Sequence, residues 1–231
     1  LGNKNNDIGV PLTLFRLNAA HRYGVFELGA NHLGEIAYTS ALVEPQAAVI
    51  TNVGTAHLEG FGSREGIARA KGEIYGGLGA GGIACINLDD EFASYWIGLN
   101  QGRAQLHYSM EKKADLWVDN VRQATSGCYA FDLHVGARTA PVELQMLGRH
   151  NVSNALAAAT LAHACQVPLD VIVAGLARTR PAPGRLNVHV PAANCRVIDD
   201  SYNANPSSMK AAVDVLLEMP GRKVLVVGDM G

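Results

Sequence analysis

The sequence predicts an α/β fold: a central, mostly parallel sheet flanked by helices, a small antiparallel side sheet, and the opening of a further α/β unit. Three observations predict it. Short apolar runs alternate with amphipathic helical patterns through the first hundred residues, as in chains of strand–helix–strand units. From about Ala104 to Leu147 the texture changes to alternating runs such as "CYAFDLHV" and "PVELQML", separated by the turn residues Ser126-Gly127 and Gly136, which is the period of antiparallel strands. After "RPAPGRL", a break with two prolines and a glycine, a strand–helix–strand pattern begins again.

Taken in order, "YGVFELG" reads as the first strand and "HLGEIAYTSALV" as the helix after it. "AAVITNV" follows as a strand, then a helix capped by Ser63 and running to about Leu78, then the strand "GIACINL" and a further helical stretch. Beyond the antiparallel region come an Ala-rich helix from Asn151 to Cys165 and a second from Leu169 to Ala177. "CRVIDDS" is a strand, Ser207 to about Met219 a helix, and "KVLVVGD" a closing strand. The boundary drawn from this reading puts one domain at 1–184 and the start of another at 185–231.

Composition narrows the function. The 231 residues are 48% hydrophobic and 17% charged, with a net charge of −2, so there is no basic field for nucleic acid and no run approaching the roughly 18 apolar residues of a membrane span. The cysteines, Cys85, Cys128, Cys165 and Cys195, lie far apart without zinc spacing and read as buried, reduced thiols of a cytoplasmic protein. The absence of a leader, and the stop just after an apolar strand, point to a piece of a longer chain.

In open α/β sheets ligands collect at the carboxyl ends of strands, so the residues there carry the candidates. The first strand ends in "FELGANH", which puts Glu27 at the strand end, where it either caps or pairs locally or faces a ligand. Asn52, His57 and Glu59 sit in the glycine-containing loop "NVGTAHLEGFGS", where His57 is either solvated or functional. Lys71, in "RAKGEIY", is either a solvated helix lysine or part of the same cluster. A carboxylate and an imidazole suit Mg²⁺ or Mn²⁺ with phosphate oxygens completing the shell. An ammonium cannot coordinate a metal, so Lys71 fits only as a phosphate partner or after conversion to an anion. Asn151 and Asn154 open the Ala-rich helix as caps or as amides for an adenine edge. Arg185 at the boundary could reach a phosphate. "DDSYNANPSSM", with Asp199, Asp200, Tyr202, Asn203 and Asn205, is either a ribose-binding strand end or a plain turn and cap.

The ordered set "GNKNNDIGVP", "ELGANHLGEI", "AHLEGFGS", "AKGEIY", "GRHNVSNALAAA", "PGRL" and "DDSYNANPSSM" closely resembles the Mur ligases of peptidoglycan synthesis over essentially the whole chain. Within that family "ELGANH" with "DDSYNANP" resembles the member that adds D-Ala-D-Ala to UDP-N-acetylmuramoyl-tripeptide. The resemblance implies an ATP-dependent amide-forming enzyme with two Mg²⁺ ions, Mn²⁺ being an alternative, working as a cytoplasmic monomer. It implies Glu27, His57 and Lys71 at the metal sites and in catalysis, with Lys71 as its carbamate. It further implies Asn151, Asn154, Arg185 and Asp200 on ATP, and Asn6, Asn203 and Asn205 near the muramoyl-peptide. Residues 1–184 would be the ATP-binding middle domain without its glycine-rich phosphate loop, and 185–231 the start of a Rossmann-like C-terminal domain. A chain lacking that loop is expected not to ligate alone. The rival readings are a sibling Mur or folylpolyglutamate-type ligase, against which "ELGANH" argues, a noncatalytic nucleotide-binding module, and a dehydrogenase, for which the glycine fingerprint is missing.

Overall fold

The computed structural model describes residues 3–54, 61–124, 126–192 and 195–228. The chain divides into two compact units, Leu1–Tyr108 and Ser109–Gly231.

In the first unit the described elements are α1 (Gly9–Leu14), α2 (Glu35–Val43), β1 (Ala47–Ile50), α3 (Arg64–Gly72) with a 3-10 turn over Glu73–Gly77, β2 (Ile83–Asn87), α4 (Ala93–Leu99) and β3 (Ala104–Ser109). β1 pairs with β2 and β2 with β3, all parallel, from Ala47 opposite Ile83 and Ile83 opposite Ala104. The middle strand is apolar on both faces because both are covered, and Ala84, Cys85 and Ile86 have no exposed surface. Around it pack Ile50, Ile67, Tyr75 and Trp96. Trp96 is fully buried and donates its indole N–H to the Ala68 carbonyl at 3.1 Å, while the Tyr75 hydroxyl donates to the Cys85 carbonyl at 2.9 Å. Burial pushes the Tyr75 phenol well above its ordinary value, so it remains a donor.

Two contacts fix how α2 meets the 3-10 turn that follows α3. Gly77 approaches α2 so closely that a Cβ there would stand 2.6 Å from the Ser40 carbonyl. The Glu73 carboxylate accepts the amides of Gly34, at 2.8 and 3.0 Å, and Ala37, at 3.1 Å. It thereby caps the N-terminus of α2 from another element.

The second unit holds an antiparallel meander, β4 (Leu116–Gln123), β5 (Cys128–Val135) and β6 (Arg138–Leu147), packed with α5 (His150–Ala164) and α6 (Leu169–Arg178). The alternation read from the sequence is the observed burial at Val142 and Leu144, and Leu147 is buried past a register shift in the β5–β6 pairing. An antiparallel pair, β7 (Asn187–Ala192) and β8 (Cys195–Asp199), precedes α7 (Pro206–Glu218). Val215 of α7 packs with Leu147 and Leu186, and Glu218 accepts the Tyr129 hydroxyl at 2.9 Å and the Gln123 amide at 3.1 Å. α7 starts in a capping box: the Asn205 side chain accepts the Ser208 amide at 2.9 Å and the Ser208 hydroxyl accepts the Asn205 amide at 3.0 Å.

Four expectations are corrected. Residues 23–29 and 223–228 form no strand; a strand exists only through a partner's hydrogen bonds, and Val25 and Val226 are 90% and 88% exposed. The antiparallel region begins at β4, since β3 is reached through α4 and that crossover returns it parallel. Of the four cysteines only Cys85 is buried, while Cys128 is half-buried and Cys165 and Cys195 are exposed. Asn151 is no cap, because α5 starts at His150 and the Asn151 amide donates back to the Leu147 carbonyl at 2.8 Å.

Replacing Asn205 by Ala removes the α7 cap and is expected to cost about 1 kcal/mol, read as a lower urea midpoint at unchanged slope. An unchanged midpoint would mean that Val215 packing alone fixes the helix start.

Candidate active site

The first unit brings Glu27 and Lys71 to one cavity of about 480 Å³, lined also by Asn5, Thr51, Ile67 and Ile74. Glu27 is exposed there, and its Oε1 accepts the side-chain amides of Asn3 at 2.8 Å and Asn5 at 2.9 Å. The segment is tied by the Gly29 amide, which donates to the Asn5 carbonyl at 2.8 Å. Two neutral donors on one oxygen orient the carboxylate without neutralising it, and among the described residues Oε2 has no protein partner.

Lys71 is half-buried on α3 and donates from Nζ to the Asn52 carbonyl at 2.7 Å. Burial lowers its pKa from the ordinary 10.5, and the Asp90 carboxylate opposes that shift in part. The segment it grips is held from three more directions. Asn87 donates to the Thr51 carbonyl at 2.8 Å, the Val53 amide donates to Asp90 Oδ2 at 2.7 Å, and Arg64 donates to the Val53 carbonyl at 3.2 Å. The solvated-lysine alternative therefore falls for Lys71.

His57 and Glu59 lie in 55–60, outside the described residues. Among the described residues no three His, Cys, Asp or Glu side chains form a metal cluster. Glu27 alone offers one charged oxygen ligand, which fits a cation such as Mg²⁺ that takes one or two carboxylates and fills its shell with water and substrate phosphate. Unmodified Lys71 adds no ligand.

The second unit carries the other candidates. On α5 the Asn154 amide donates to Asn151 Oδ1 at 3.0 Å, leaving Asn154 exposed. Gly184, at φ +71°, lets the chain turn so that its carbonyl accepts the Tyr202 amide at 3.0 Å. That turn sets the Arg185 guanidinium over the Tyr202 ring, 4.3 Å from its centroid, and the Leu186 amide on Asp200 Oδ1 at 3.1 Å. Arg185 and Asp200 are thus brought together. The three asparagines assigned to substrate have local partners: Asn6 Oδ1 accepts the Gly9 amide at 2.8 Å, Asn203 Oδ1 the Ala204 amide at 2.9 Å, and Asn205 caps α7.

Asn3, Asn5 and Asp90 belong to this architecture and were not singled out from the sequence. Asp90 follows shortly after β2, which ends at Asn87, so the strand-end rule would have found it. Nothing in "NKNN" distinguishes Asn5 from its neighbours.

Compared with known proteins, residues 1–162 match the Mur ligase middle domain and residues 184–231 the Mur ligase glutamate ligase domain. The chain belongs to the Mur ligase family. This Mur ligase chain is 49% identical over 230 residues to the UDP-N-acetylmuramoyl-tripeptide–D-alanyl-D-alanine ligase of Escherichia coli K12, covering 99% of this chain and 51% of that protein. It is 44% identical to the Haemophilus influenzae enzyme of the same name, covering 99% and 49%. A crystal structure of MurF from Acinetobacter baumannii superposes with a TM-score of 0.94 at 43% identity, covering 100% of this chain and 50% of that one. MurF of Thermotoga maritima in complex with ADP gives 0.76 at 26% identity, covering 96% and 51%. The chain spans about half the length of the curated relatives it matches.

Because the folded pKa of Lys71 is lowered, the unfolded chain holds a proton that the folded chain has shed between that lowered value and 10.5. Stability therefore rises with pH through the lowered value and levels off above 10.5. Lys71→Met is expected to abolish that alkaline rise, seen in urea midpoints taken across the range. A rise of equal size in the variant would remove the assignment.

Proposed function

We propose that the protein to which this chain belongs joins D-Ala-D-Ala to UDP-N-acetylmuramoyl-tripeptide at the expense of ATP, in cytoplasmic peptidoglycan precursor synthesis. The observation that carries the reading is the half-buried Lys71 facing the same cavity as Glu27, in a chain 49% identical to a ligase of that name. The domain division is proposed at 184/185, which agrees with the family match resuming at residue 184.

A carboxylate oxygen of the tripeptide attacks the γ-phosphorus of ATP, ADP departs, and an acyl phosphate is left. The D-Ala-D-Ala amine then attacks the acyl carbon, loses a proton, and phosphate departs as the amide forms. Glu27, His57 and Lys71 as its carbamate would hold Mg²⁺, or Mn²⁺, which supplies charge neutralisation at the phosphate oxygens. The lowered pKa of Lys71 suits carbamate formation, since only a neutral amine adds carbon dioxide. Asn154 and Asn151 would meet adenine, Asp200 the ribose and Arg185 the phosphates; Asn6, Asn203 and Asn205 are proposed beside the muramoyl-peptide. We place the working enzyme as a monomer.

The test follows product mass and ADP release with Mg-ATP, UDP-muramoyl-tripeptide and D-Ala-D-Ala. The full-length parent is expected to ligate, its Lys71→Ala variant to lose turnover by about two orders of magnitude or more, and the 231-residue chain alone to show none. ATP binding by the parent without coupling would leave a nucleotide-binding module. A carbon-13 carbamate resonance under labelled carbon dioxide, absent in Lys71→Ala, is expected on the same reading.

A further inference from the structure

The second unit contains a cavity of about 510 Å³ beneath the β7–β8 pair, and none of the residues assigned to nucleotide or muramoyl-peptide lines it. Its floor is Cys128, Leu147, Leu186, Ile198 and Met219, the apolar cluster on which α7 rests. Its rim is cationic. Arg180 enters from the segment after α6 and Arg196 from β8, both exposed and neither with an ion-pair partner among the described residues; His189 of β7 stands with them. No carboxylate lines the cavity among those residues.

Such an arrangement is unbalanced in a specific way. Arginine is the side chain suited to carboxylate and phosphate recognition, and two of them line the mouth of this one cavity with no acidic residue beside them among the described lining residues. The volume is within the range of small-molecule sites, the floor offers no aromatic face for a base to stack on, and the polar lining beside the cations is neutral: Ser126, Gln145 and Asn187. We propose that this cavity binds a small amphiphilic oxyanion, its apolar body on the Leu147–Leu186–Met219 floor and its carboxylate or phosphate head between Arg180 and Arg196. The guanidinium fork matches either head in a two-bond geometry. The site is independent of the ligase reading, since it shares no side chain with the Glu27–Lys71 cavity.

Cys128 makes the proposal measurable, because its thiol is on the floor whereas Cys165 is exposed elsewhere. Alkylation of both by iodoacetamide is followed by mass spectrometry on this chain with octanoate, octyl phosphate, octanol or octyltrimethylammonium added. The two anions are expected to slow Cys128 and leave Cys165 unchanged, and their ratio shows which head is preferred. Octanol and the cation are expected to protect at least tenfold more weakly, each lost ionic hydrogen bond weakening binding by about tenfold or more. Arg180→Gln with Arg196→Gln, both at exposed positions, is expected to abolish the preference for anions while Cys128 reacts at its former rate without ligand. Equal protection by all four compounds would reduce the cavity to a greasy surface, and protection by none would overturn the site.

Discussion

The polar backbone of residues 51–53 has left β1 and has no strand to join, and side chains from three different elements take up its hydrogen bonds. Asn87 at the end of β2, Asp90 before α4, and Arg64 and Lys71 on α3 converge on three consecutive residues. Val53 is buried, where an unpaired backbone group is costly, so Asp90 and Arg64 are held in place by the amide and carbonyl they satisfy, while Asn87 and Lys71 meet the carbonyls of the exposed Thr51 and Asn52. The position of Lys71 at the cavity is one product of that convergence. Its amine points inward because the Asn52 carbonyl is there to meet it.

The same logic separates what was legible in the sequence from what was not. Strands that are buried on both faces, such as "GIACINL", and alternating ones, such as "CYAFDLHV", announce themselves because burial and pleat set their residue types directly. Strand-like runs at 23–29 and 223–228 look the same on paper, yet strand formation requires a neighbour, and composition carries no information about one. The direction of β3 was lost for a related reason: parallel or antiparallel is decided by the connection, here the helix α4, and not by the strand's own residues.

For the site, Glu27 and Lys71 were visible through position and residue type, and Arg185 and Asp200, which meet at one turn through the Leu186 amide, through their motifs. Asn5 and Asp90 act by holding others in place, and side chains of that kind leave no spacing to read. Asn151 and Asn205 exchanged expectations: the asparagine expected to cap donates into the preceding turn, and the one assigned to substrate caps a helix. Both are explained by where the helices begin, which is uncertain by a residue or two in any reading of a sequence.

The exposed run Val224, Leu225, Val226 and Val227 has a consequence for handling the chain. It has the makings of an adhesive edge: four apolar side chains in succession, three of them β-branched, on backbone that belongs to no ladder among the described residues. Self-association through that run would grow with concentration while the cores of both units stayed intact. A lysine placed within the run would break that edge with a charge.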